Sequence, residues 1–175
     1  MSKHAWYSAY MKNHAYIITI GILLLVGLAA HAEVKVTVGH NDNDDAALAF
    51  KFKNVPSPSA NNAAIRVKFT IVDGEADPNG GDLSKLNDGK LPDDEDQPDE
   101  NFFFNAGTAG GWLQVDLGGV INIRQVNTYS WHPNTRGPQV YKLYASDGAS
   151  QDFNAAPKNG TNPESCGWKL VEEMD

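Results

Sequence analysis

Trp112–Gly118 reads W-L-Q-V-D-L-G, and its alternation decides the fold class. Leu113, Val115 and Leu117 fall on one side of an extended chain, with Gln114 and Asp116 on the other, the period-two signature of a half-buried strand. Gly118-Gly119 turns the chain. Downstream, Ile121 to Trp131 and Gln139 to Ala145 read as strands, and Asp147-Gly148 as a turn. Trp168 to Val171 starts another strand after a polar, loop-like stretch from Asp152 to Ser165. Upstream, Ile65, Val67, Phe69 and Ile71 alternate over Ile65–Val72. Ala46–Val55 and Glu33–Val38 (E-V-K-V-T-V) carry the same period. Pro56-Ser57-Pro58-Ser59 forces a loop, because proline has no amide hydrogen for a ladder. Helical periodicity is nearly absent after residue 32. Short strands separated by turn signals predict an all-β chain, an antiparallel β-sandwich or jelly roll.

The first 32 residues stand apart. Tyr16 to Ala30 is an apolar run preceded by Lys3 and Lys12 and closed by Ala30-His31-Ala32. That is the three-part pattern of a cleavable signal peptide, and Met11 opens a more compact version of it than Met1. The alternative is an uncleaved membrane anchor, although a spanning helix needs about 20 apolar residues. Cleavage predicts a secreted or periplasmic protein, with a single domain over residues 33–175. Removing 32 of 175 residues leaves 143, enough for one core.

The chain has 14 Lys and Arg against 22 Asp and Glu, for a formal net charge of −8. Losing Lys3 and Lys12 takes the mature chain to −10. This balance argues against nucleic acid and against anionic membrane surfaces, both of which need clustered cations. Cys166 is the single cysteine, so no internal disulfide framework exists, and it reads as a small buried residue.

Four segments together resemble one family. L-N-D-G at Leu86–Gly89, W-L-Q-V-D-L-G at Trp112–Gly118, I-x-x-V at Ile123–Val126 and Y-K-L-Y-A-S-D-G at Tyr141–Gly148 are similar to the discoidin (coagulation-factor type C) domain. The match is clearest over residues 83–148. The resemblance implies a galactose-binding-like jelly roll of about eight strands. It also implies ligand loops at one end of the sandwich and a structural calcium ion near the D-G turn. The chain departs from the family pattern after Gly89, where Lys90-Leu91-Pro92 and an acidic run stand. Beyond Gly148 the family has several more strands, and this chain offers only Trp168–Val171. Either extra N-terminal strands close the sheet, or the chain is truncated at its C-terminus.

Two sites follow. Asp88 is the residue matching the family's calcium position. Calcium takes about six to eight oxygens, and the loop also offers Asp77, Asn79 and Asp82. Glu75-x-Asp77-x-Asn79-Gly80 imitates the start of an EF-hand loop, but Leu86 stands where that loop requires Glu. The other reading has Asp88 capping a turn. The run Asp93–Glu100, six acids in eight residues, reads as a solvated acidic loop. The second site is the loop carrying Trp131, His132, Asn134 and Arg136. Its flat ring and planar guanidinium suit a sugar or another polar ligand. The same residues also suit a packed corner with Trp131 buried and His132 and Arg136 at its rim. No nucleophile elbow, zinc motif, phosphate loop or dinucleotide fingerprint is present, so a non-catalytic protein is expected. The expected partner is an extracellular carbohydrate or another cell-surface ligand. The alternative is a structural or adhesive β-sandwich, part of a longer protein, with no small ligand.

Overall fold

A computed structural model describes residues 33–39, 51–93, 97–105, 110–130 and 140–174. The chain divides into Met1–Glu33 and Val34–Asp175, and the description below concerns the second unit. The predicted signal segment lies outside the described residues.

The described chain is predominantly β, with two small antiparallel sheets and several single 3-10 turns. Strand β1 (Lys68–Asp73, K-F-T-I-V-D) pairs with β2 (Trp112–Asp116, W-L-Q-V-D). Both are rich in the β-branched and aromatic residues that pack well on a pleated surface. Phe69 faces Val115 and Ile71 faces Leu113, so these four apolar side chains share one face. The register then slips between Ile71 and Asp73, a bulge that re-aims the end of β1. Strand β3 (Tyr141–Ala145) pairs with β4 (Lys169–Met174). Lys142 lies opposite Glu173, and their side chains form an exposed ion pair at 3.1 Å.

Five strand expectations are adjusted. Glu33–Val38 is exposed and in no strand. The described end of Ala46–Val55, residues 51–55, is likewise outside any strand. The start of Ile65–Val72 is a 3-10 turn over Ala63–Arg66, because Asn62 accepts the Ala64 amide hydrogen at 2.8 Å and caps it. The described part of Ile121–Trp131, residues 121–130, lies in no strand and pairs with none among the described residues, and Val120 is 80% exposed. The last strand runs to Met174, beyond the expected Val171. Side-chain burial also differs. Val115 and Leu117 are expected in the core; Val115 is 39% exposed and Leu117 half-buried, while Trp112 and Gln114 on the other side of the strand are half-buried too. Trp112 is drawn in by the Tyr144 ring of β3, whose centroid lies 6.4 Å away.

The best-enclosed residues belong to a loop. Pro157, Pro163 and Cys166 are buried, all between β3 and β4. Asn154 and Cys166 are joined by a backbone hydrogen bond of 3.1 Å. Trp168 Nε1 donates to the Asn154 carbonyl at 2.8 Å, and Ser146 Oγ donates to the Gly167 carbonyl at 2.7 Å. The expectation of a buried Cys166 agrees with this packing.

Candidate functional site

The long segment after β1 is built from its own polar side chains. Its two arms meet through an isolated bridge between Ala76 and Phe104, and the Asp77 amide donates to the Phe103 carbonyl at 3.0 Å. Asp82 accepts the Ser84 amide hydrogen at 2.7 Å and caps the 3-10 turn Leu83–Leu86. The Lys85 ammonium reaches Glu100 at 2.8 Å, closing the segment on itself. That hydrogen bond holds the Lys85 ammonium above the ordinary lysine range. Asp82 is held below the usual carboxylate range by the hydrogen bonds from Ser84.

Asp88 takes the turn role. Its Oδ1 accepts the Lys90 amide hydrogen at 2.9 Å, an Asx turn that Gly89 completes at φ 75°. Asp77 is similarly engaged, accepting from the Asn79 amide at 2.8 Å and from Asn79 Nδ2 at 2.9 Å. Each carboxylate is turned onto its own stretch of backbone. Among the described residues, no three Asp, Glu, His or Cys side chains converge as metal ligands.

Beside Asp88 lies a feature that sequence reasoning missed. Lys90, Leu91, Pro92, Asp93, Gln97 and Glu100 line an open polar hollow of about 300 Å³. Gln97 bridges it, accepting the Asp93 amide hydrogen at 2.9 Å and donating to the Asp93 carboxylate at 2.5 Å. The signal available in the sequence was the single cation, Lys90, placed three residues before the acidic run begins at Asp93.

The second predicted site, Trp131, His132, Asn134 and Arg136, lies outside the described residues. The chain on its two sides is described. Thr128 Oγ1 and the Tyr141 hydroxyl are 3.1 Å apart. Tyr129 donates its hydroxyl to the Pro56 carbonyl at 2.6 Å and leans on Phe52 with ring centroids 6.2 Å apart. Burial pushes the Tyr129 phenol above its ordinary value. The described residues on the two sides of 131–139 are therefore tied to each other and to the Pro56 segment.

A further polar cluster joins distant parts of the chain. Asp73, at the end of β1, accepts the Gly74 amide hydrogen at 2.9 Å and the Asn159 amide hydrogen at 2.6 Å. Lys158 Nζ donates to the Val72 carbonyl at 3.0 Å. These bonds hold the buried-proline loop against the bulge of β1.

Comparison with protein-family models, with curated proteins and with solved structures finds no match. Among the described residues no helix is long and apolar enough to cross a membrane.

Proposed function

We propose that the chain is a secreted, non-catalytic binding module of the discoidin type, with a galactose-binding-like β-sandwich and a carbohydrate or other extracellular polar ligand. The observation that carries this reading is the contact between its two most specific motifs. W-L-Q-V-D-L-G supplies β2 and Y-K-L-Y-A-S-D-G supplies β3, and Trp112 of the first stacks on Tyr144 of the second at 15° between planes. That contact joins one strand from each sheet, the relation a two-layer sandwich requires. Thr128 and Tyr129, just before the proposed ligand residues, are tied by their hydroxyls to Tyr141 and Pro56, and chain held in place before binding loses less entropy on binding. In this reading Trp131 stacks on a sugar face, and His132, Asn134 and Arg136 bond its hydroxyls. A calcium ion at Asp88 would draw most of its shell from backbone carbonyls and water, since the neighbouring carboxylates are engaged locally.

A glycan-array screen of residues 33–175, run with calcium and with chelator, tests both parts. Binding that Trp131→Ala and Arg136→Ala each weaken supports the ligand loop. Binding that survives both substitutions moves the site elsewhere, and an unchanged melting curve in chelator removes the metal.

A structural or adhesive module is the second reading. It draws on the exposed apolar residues Val120, Ile121, Ile123 and Val126, which form a run open to solvent. An array without hits, combined with self-association lost in Ile121→Asp, favours it.

A further inference from the structure

Asn-Gly occurs twice in the chain, at Asn79–Gly80 and Asn159–Gly160. Such a pair can react with itself. The glycine amide nitrogen attacks the asparagine side-chain carbon, and glycine allows this approach because it carries no Cβ. Two things oppose the reaction in a folded chain: a hydrogen bond that occupies the glycine N–H, and one that holds the asparagine carboxamide away.

The two pairs differ on both counts. At the first, the Gly80 N–H donates to the Asp77 carbonyl at 3.0 Å, and Asn79 Nδ2 donates to Asp77 Oδ1 at 2.9 Å. Nucleophile and electrophile are both held. At the second, the turn itself is fixed. The Asn159 N–H donates to Asp73 at 2.6 Å, and the Thr161 N–H donates to the Lys158 carbonyl at 3.0 Å. The reacting groups are not. Among the described residues, neither the Asn159 carboxamide nor the Gly160 N–H has a hydrogen-bond partner, and both residues are exposed. Gly160 has φ 82°, and no heavy atom lies within 4 Å of the place a Cβ would occupy.

We propose that Asn159 is a spontaneous modification site, deamidating in the folded protein through a cyclic succinimide and thereby loosening the loop from β1. The Gly160 nitrogen loses its proton to solvent base and bonds to Asn159 Cγ. The Cγ–Nδ2 bond breaks, and Nδ2 leaves as ammonia. Water then opens the ring at either carbonyl carbon, giving aspartate or isoaspartate. The net change is asparagine plus water to a carboxylic acid plus ammonia, with no oxidant. Either product puts a new carboxylate on the residue whose N–H the Asp73 carboxylate accepts, and like charges so placed repel. The isoaspartyl product also lengthens the main chain inside the Lys158–Thr161 turn. This inference is independent of the binding reading above.

The test is peptide mapping by mass spectrometry of the folded chain, held at neutral and mildly alkaline pH in water labelled with heavy oxygen. Asn159-Gly160-Thr161 also fits the N-x-Thr glycosylation pattern, and a glycan would consume the same nitrogen, so the protein is made in a host lacking that machinery. Residue 159 should take up heavy oxygen about tenfold faster than residue 79, the factor a single net hydrogen bond supplies. The rate should rise with pH, and Asn159→Gln should abolish the signal at that position without disturbing the fold. In denaturant the two rates should converge. Equal or faster conversion at Asn79 in the folded chain overturns the proposal, as does a difference that persists after unfolding.

Discussion

The ring of Trp112 lies almost parallel to that of Tyr144, 15° between planes and 6.4 Å between centroids, so one residue from each sheet shares the contact. Neither two-stranded sheet is independently stable at this size, because an isolated hairpin-like pair is marginal in water. Their mutual support through this contact should be measurable.

Trp112→Ala should destabilise the protein by about 2 kcal/mol. A fully buried Trp or Phe loses about 3–5 kcal/mol on truncation, and Trp112 is only half-buried. Tyr144→Phe keeps the ring and should cost far less. Chemical denaturation followed by fluorescence separates the two, and equal costs for both variants would contradict a stacking role.

Asp73 should make stability acid-sensitive. The Asn159 N–H, then the Gly74 N–H, and then the Lys158 ammonium hold its carboxyl below the usual range. A depressed folded pKa contributes stability above the ordinary carboxylate value, about 4, and loses it as pH falls through the folded value. Melting temperature should therefore drop in that acid window. Asp73→Asn should start lower at neutral pH and show a shallower acid slope. Parallel curves for the two proteins would exclude the tie as an energetic contributor.

Lys85 works at the opposite end of the scale. Its hydrogen bond to Glu100 raises the ammonium pKa, so its contribution is complete below the ordinary lysine value and is lost as pH rises through the folded value. Glu100→Gln should flatten the stability curve above about pH 10.5. Thermal melts across that range provide the measurement.

Gly89 combines two constraints that a substitution can separate. Its φ of 75° disfavours an L side chain, and a Cβ there would stand 2.6 Å from the Ala60 nitrogen. Gly118 has a similar φ of 71° with open space around it. Gly118→Ala should cost about 1–2 kcal/mol from conformation alone. Gly89→Ala should cost clearly more. Similar losses would mean that the Ala60 segment yields freely.

The strands were legible where the sequence alternates and a partner is present. Phe69, Ile71, Leu113 and Val115 were placed on their strands by period alone, and their shared face follows from the register. Residues 121–130 begin with the same period at Ile121 and Ile123 and lose it at Gln125-Val126, and they lie in no strand, because a short period reports a capacity for pairing and says nothing of the partner. The start of the Ile65 run was lost to local chemistry, since Asn62 offers the backbone an alternative bond. Asp88 carried both a metal and a turn reading, and its bond to Lys90 supplies the turn. The Asp73–Asn159 tie was invisible, because it spans 86 residues and involves a backbone donor that every residue type possesses.

The loop between β3 and β4, which encloses Pro157, Pro163 and Cys166, should invert the usual order of backbone protection. Irregular segments ordinarily open first and exchange their amide hydrogens fastest. Here Asn154 and Trp168 donate their amide hydrogens inside the segment that encloses Pro157, Pro163 and Cys166. Strand β2, by contrast, leaves Leu113 and Val115 36% and 39% exposed. The amides of Asn154 and Trp168 should therefore keep their hydrogens longer in deuterated solvent than the amides of β2, so that a loop whose regular structure is one short 3-10 turn, Pro163–Cys166, outlasts a strand.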